Sequence, residues 1–344
     1  MHRYSLPDER FMPLGRHDPD ETASQLWWSG SGVRTLISCT KMEAEITSTA
    51  SGHAAWAGVL MDGEPVARFP LMEGTHRYLV LAGLEEGFSH EVSIIRDSQP
   101  SYDEQGPVIL SAVYTDGEPK RPAKRPLLIE FLGDSLTVGE GCLGPKSAQE
   151  WRMIWISHMP AFPSLVAEKM NAEKRVIALG GWGAARSWDN QKESRIGRIY
   201  CQLCAITPGG NVPAPASNRE GIADAVVINL GTNDSSALKS LPAEEVPSAL
   251  AELKDRAKEL IQMAAGRNPG AKILWAYGLC GHDERVDEAL VKAVEEAKKD
   301  FSISAAYLSL TPSRECGSRS HPSREGHQVA AEEITKALLD MMKG

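Results

Sequence analysis

The 344-residue sequence predicts a three-layer α/β domain with a parallel sheet, preceded by an all-β sandwich domain. Three observations carry the prediction. From about residue 27 to 114, short apolar runs alternate with turn signals. Beyond 127, apolar strands alternate with helical periods. Between the two lies a proline- and charge-rich stretch with no apolar period.

Residues 1–24 read as an N-terminal extension and 25–115 as the sandwich. Its apolar runs are Val33–Ser38, Met42–Ser48, Ala54–Met61, Val66–Pro70, Tyr78–Leu81, His90–Ile95 and Val108–Tyr114. The signals Asp62-Gly63, Glu73-Gly74 and Glu86-Gly87 interrupt them at intervals that suit a sandwich. Asp62-Gly63, inside Gly58–Val66, predicts a tight hairpin because both residues tolerate positive φ. Residues 116–126, with Pro119, Pro122 and Pro126 among basic side chains, read as a linker. In 127–344, strands are predicted at Leu127–Leu132, Arg175–Leu179, Ala225–Leu230 and Lys272–Tyr277. Helical patterns cover Pro163–Asn171, Pro242–Gly266, Asp283–Asp300 and Gly326–Met342. The irregular segment Ser187–Asn218 is expected to form loops.

Four motifs fall at element ends. Gly133-Asp134-Ser135-Leu136 follows the first strand of the α/β half, which places Ser135 at the carboxyl edge of a sheet, where such folds bind ligands. Gly180-Gly181-Trp182-Gly183 follows the next strand, and Gly231-Thr232-Asn233-Asp234 follows Ala225–Leu230. His321-Pro322 precedes the last helical stretch. A serine hydroxyl is a weak nucleophile and needs a base; an oxyanion needs preorganised donors. The local reading of Asp134 is a turn cap, and of Asp234 a turn or helix-start residue. His158, His282 and His327 read as surface, packed or locally bonded histidines.

The four blocks in this order resemble the SGNH/GDSL hydrolases, whose blocks supply Ser, Gly, Asn and His. The resemblance implies Ser135 as nucleophile and His321 as base. It also implies an oxyanion hole of the Ser135 N–H, the Gly181 N–H and the Asn233 amide, with Gly183 as the competing glycine. A sandwich ahead of such a domain resembles carbohydrate esterase family 2, which implies a jelly-roll and a substrate that is an acetylated sugar. Trp182, beside the expected oxyanion donor, is the candidate substrate platform, ahead of Trp151, Trp155, Trp188 and Tyr200.

One position departs from the family pattern. The family usually carries Asp three residues before the histidine, where this sequence has Ser318. A backbone carbonyl can hold the histidine, giving a Ser–His dyad. A carboxylate from elsewhere, such as Glu315 or Asp283, can take the role, or the site is impaired. The function expected is a serine esterase that removes acetyl groups from acetylated oligo- or polysaccharides. The alternatives are a lipase- or thioesterase-type acyl hydrolase, and a carbohydrate-binding protein with a decayed site.

A net charge of −9 disfavours nucleic acid and anionic membranes as partners. No apolar run approaches a membrane span, and the first residues show no signal-peptide core, so the expectation is cytoplasmic. The six cysteines do not require disulfides. Cys201 and Cys204 have the spacing of a metal knuckle without a second pair, so no metal is expected. No phosphate or dinucleotide loop is present and the chemistry needs no cofactor.

Overall fold

A computed structural model describes residues 1–18, 23–85, 87–214 and 221–343. The turn expected at Glu86-Gly87 has its first residue outside the described residues, as do parts of the N-terminal extension and of Ser187–Asn218. The chain divides into two compact units. The first holds Met1–Arg125 with Arg152–Ile154 and residues 202–214; the second holds Pro126–Trp151, Trp155–Cys201 and the chain from 221 onward.

Among the described residues the first unit has ten strands: β1 (His2–Ser5), β2 (Met12–Leu14), β3 (Ser24–Leu26), β4 (Gly32–Ile37), β5 (Lys41–Ser48), β6 (Trp56–Met61), β7 (Glu64–Pro70), β8 (Gly74–Ala82), β9 (His90–Arg96) and β10 (Val108–Thr115). They form two five-stranded antiparallel sheets, β1-β10-β5-β8 with β3 also on β10, and β2-β4-β9-β6-β7. Strand β5 shows why. Met42, Ala44, Ile46 and Ser48 are buried and the residues between them are not, the two-residue period of a sheet with one face on a core. Val33, Val59 and Ile94 of the other sheet, with Leu110 and Val113 of the neighbouring β10, complete that core. Asp62 and Gly63 turn with φ of 52° and 88°, the positive pair that joins β6 to β7. Strands β1 to β3 begin ahead of residue 25. Residues 116–121 are tied to this unit: Leu36 and Lys120 exchange backbone hydrogen bonds, and the Asp116 carboxylate accepts from the Thr40 and Lys41 N–H groups.

The second unit carries a parallel sheet of β11 (Leu127–Gly133), β12 (Ala172–Ala178), β13 (Ala225–Asn229), β14 (Lys272–Tyr277) and β15 (Ala305–Ser309), in the order β12-β11-β13-β14-β15. All five residues of β13 are buried, as a strand covered on both faces requires. The helices are α1 (Ser135–Val138), α2 (Phe162–Lys169), α3 (Ile196–Ile199), α4 (Thr232–Leu238), α5 (Val246–Arg267), α6 (Glu284–Phe301) and α7 (Arg324–Lys343). Helices α2 and α7 pack together, as do α5 and α6. The strand order reverses direction between β11 and β13. At that point the carboxyl ends of neighbouring strands splay apart and leave a crevice.

Candidate active site

The four motifs converge on that crevice. Ser135 opens α1 directly after β11, and Asp134 caps the helix, its Oδ1 accepting from the Leu136 N–H at 3.0 Å. Asn233 lies in the first turn of α4 after β13, and Gly180 and Gly181 follow β12. His321 enters on the loop before α7. Together with Trp151 and Trp188, these residues line a cleft of about 540 Å³.

The Ser135 Oγ and His321 Nε2 are 2.9 Å apart, and His321 Nδ1 lies 2.9 Å from the Arg319 carbonyl oxygen. A carbonyl can only accept, so Nδ1 carries the hydrogen and Nε2 is left to accept from the serine hydroxyl. The orienting partner is thus a backbone carbonyl. The Ser318 hydroxyl is committed elsewhere, donating to the Leu143 carbonyl at 2.9 Å. Glu315 pairs with Lys146, and Asp283 caps α6 and pairs with Arg285, so neither carboxylate considered from the sequence serves His321. The carboxylate beside it is Glu140, whose Oε2 lies 3.6 Å from Nε2. Glu140 is buried and bonds the Arg319 guanidinium. Arg319 and Ser320 both adopt left-handed backbone, with φ of 53° and 57°, a conformation that costs a non-glycine residue about 1–2 kcal/mol.

The Ser135 and Gly181 N–H groups have no protein acceptor among the described residues, whereas the Gly183 N–H is committed to the Ser194 carbonyl at 3.3 Å. Gly181 has φ of 84°, and a Cβ there would press on Trp188 Cδ1 at 3.0 Å. Asn233 lines the cleft, but its Nδ2 donates to Asp134 Oδ2 at 3.0 Å and to the Trp182 carbonyl at 2.8 Å. Both amide hydrogens are therefore engaged. Asp234 reaches back from α4 to accept from the Ala184, Ala185 and Arg186 N–H groups at 2.8–3.1 Å, anchoring the loop after Gly183. Burial pushes Asp134 up to about 7, with Asp234 and Glu140 adding to the shift and the bond from Leu136 opposing it.

Trp182 is not the platform. The residue is 8% exposed and absent from the cleft lining; Trp188, 62% exposed, and Trp151 line the cleft instead. Tyr200 is buried against Glu130, and Trp155 packs over Gly144. Surface readings of the other histidines hold unevenly. His282 bonds Asp287 and the Leu310 carbonyl, and His327 accepts from the Phe162 N–H and stacks on that ring. His158, read as a surface or locally bonded residue, is fully buried and neither ring nitrogen has a hydrogen-bond partner. Among the described residues no cluster of three or more metal-ligating side chains occurs, and none of the six cysteines forms a disulfide.

Residues 131–329, more than half of the chain, match the GDSL-like lipase/acylhydrolase family. The chain belongs to that family. Residues 14–119 match the carbohydrate esterase 2 N-terminal family. An acetylxylan esterase/glucomannan deacetylase from Cellvibrio japonicus is 23% identical over 99% of this chain and 91% of its own. A solved acetyl xylan esterase from the rumen bacterium Butyrivibrio proteoclasticus is similar in fold, with a TM-score of 0.91 at 21% identity and complete coverage (100%) of both chains. A family two carbohydrate esterase from Clostridium thermocellum, solved with cellohexaose, has a TM-score of 0.84 at 22% identity, covering 97% of this chain and 99% of that one. No helix among the described residues is long and apolar enough to cross a membrane. Within this GDSL-family cleft, sequence patterns gave no sign of Glu140 or of the Arg319 carbonyl. A lone glutamate in a loop and a backbone oxygen leave no local signature.

Proposed function

We propose that the protein is a serine esterase that removes acetyl groups from acetylated carbohydrates through an acyl-enzyme. Ser135 Oγ attacks the acetyl carbonyl while His321 Nε2 takes its proton. The Ser135 and Gly181 N–H groups receive the oxyanion; Asn233 can join them only by releasing Asp134 or the Trp182 carbonyl. Collapse breaks the bond to the sugar oxygen, which leaves with the proton held on Nε2. Water then attacks the acetyl-serine by the same route, freeing acetate and restoring the hydroxyl.

The observation that carries this reading is the serine–imidazole pair, its tautomer set by the Arg319 carbonyl, facing two open N–H donors. The cleft wall supports a sugar rather than a long acyl chain. Among the described residues that line it, Leu136 is the one aliphatic side chain, while Trp151 and Trp188 offer flat faces on which sugar C–H groups stack. The relatives named as acetylxylan esterases support the same substrate class.

The test is turnover of aryl acetate, aryl octanoate and acetylated xylo- and gluco-oligosaccharides. Acetate release is expected, with octanoate poorly used, and Ser135→Ala or His321→Ala is expected to lower kcat by at least about 10³-fold. Trp188→Ala is expected to raise KM for sugar acetates while leaving aryl acetate unchanged. Activity retained by Ser135→Ala, or a preference for octanoate, would overturn the reading.

A further inference from the structure

The 139–148 loop ties the nucleophile to the loop of the base. The Glu140 N–H donates to the Ser135 carbonyl at 2.9 Å, so this residue is fixed to the helix that carries the nucleophile. Its buried carboxylate bonds the Arg319 guanidinium, and the carbonyl of that same arginine accepts from His321 Nδ1. The Arg319 N–H is held by the Ala148 carbonyl at 2.8 Å, Ser318 by Leu143, and Arg324 Nε by the Cys142 carbonyl at 3.0 Å. Two left-handed residues in succession, Arg319 and Ser320, would relax unless held.

We infer that Glu140 is the acid that this site uses in place of the missing aspartate: a positioning residue that clamps Arg319 so that its carbonyl holds His321, and whose charge faces the imidazolium. The inference rests on Ser135 and His321 as the working pair. A backbone carbonyl supplies a dipole but no net charge. When Nε2 takes the serine proton, the Glu140 carboxylate lies beside it, with Oε2 at 3.6 Å. That separation is too long for a hydrogen bond, so the carboxylate stabilises the cation without competing for the proton that must go to the leaving oxygen. The Arg319 guanidinium offsets part of this charge and fixes where the rest of it sits. The other titratable groups near the imidazole include Asp134, coupled by charge to Glu140 and pushed up to about 7, Cys280, across the cleft after β14, and His327 on α7, which burial keeps neutral with its affinity for protons lowered to about 3.

The experiment compares the full-length wild type with Glu140→Gln, Glu140→Asp, Arg319→Lys and Ser135→Ala on aryl acetate, reading kcat, KM, the pH profile of kcat/KM and Tm. Glu140→Gln is expected to lower kcat about 10- to 100-fold with KM within about twofold, and to move the acid limb of kcat/KM to lower pH by about one unit. The sign follows from charge: loss of the carboxylate, with Arg319 left unpaired, disfavours the imidazolium. Glu140→Asp is expected to recover part of kcat and return the limb toward the wild-type position. Arg319→Lys keeps the charge but loses the planar fork, and is expected to lower kcat less than Glu140→Gln does. A merely structural role would lower kcat in step with Tm and leave the limb in place; that outcome overturns the inference. So does Glu140→Gln turning over at the wild-type rate beside an inactive Ser135→Ala. Activity in Ser135→Ala would instead overturn the Ser135–His321 assignment, and this inference with it.

Discussion

At the scale of single residues, position 318 separates motif from mechanism. The family pattern asks for an aspartate there, yet Ser318 is fully buried and its hydroxyl donates to the Leu143 carbonyl. An aspartate would set a carboxylate against that carbonyl with no hydrogen to share. Ser318→Asp is therefore expected to lower stability by about 1–3 kcal/mol and not to raise kcat, checked by denaturant unfolding beside aryl acetate turnover. The serine, glycine and histidine of the motifs were legible because each stands beside a strand or helix end that pattern alone reveals. Trp182 was misjudged for a related reason. Adjacency to Gly181 in sequence says nothing about where the ring lies, and the rings that line the cleft belong to Trp151 and to Trp188, six residues on.

At the scale of elements, the long periodic stretches were the most legible. Predicted helices at 242–266 and 283–300 correspond to α5 and α6 within a few residues, because their apolar spacing is local information. Strands β1, β2, β3 and β15 were not foreseen; each is three to five residues long and depends on its neighbours for pairing rather than on its own pattern. Asp234 sits in the first turn of α4, as a helix-start residue should, but its carboxylate serves another loop.

The segment leading into α2 carries His158, and α7 carries His327, both fully buried. Burial holds both well below the usual histidine range, His327 at about 3. The sign follows directly: above about pH 6.5 both states hold them neutral, and below it the unfolded chain takes up protons that the folded chain refuses. Stability from these two groups is thus lost as pH falls from about 6.5 toward 3. His158→Phe removes one such group together with two unsatisfied ring nitrogens. Its stability relative to wild type is expected to rise by up to about 1.4 kcal/mol per pH unit below 6.5, read from denaturant midpoints between pH 8 and 5. Parallel curves would refute this.

At the scale of the second unit as a whole, a buried polar network joins elements far apart in sequence. Glu130 on β11 accepts from Arg175 Nε on β12 at 2.7 Å, from the Tyr200 hydroxyl after α3, and from Asn268 Nδ2 after α5 at 3.1 Å. Asn268 Oδ1 in turn accepts from the Ala223 N–H at 3.0 Å. Glu130→Leu is expected to cost about 3–5 kcal/mol, because it strands a buried guanidinium. The double variant Glu130→Leu/Arg175→Met is expected to recover much of that loss, since neither charge then needs compensation. Chemical denaturation of the four members of this cycle measures both effects.

The sequence by itself determined the two architectures and the order in which the proposed nucleophile, oxyanion loops and base arrive, because period, turn chemistry and strand-end glycines act over a few residues. Only the tertiary structure decided which groups surround the imidazole where the family pattern has aspartate. Glu140 and Arg319 are 179 residues apart. They meet because the reversal of strand order between β11 and β13 opens a crevice where the loop after α1 and the loop before α7 close on each other. A buried ion pair, a backbone carbonyl aimed at an imidazole and a tryptophan turned toward or away from a cleft are set by packing over such distances, and packing leaves no local pattern to read.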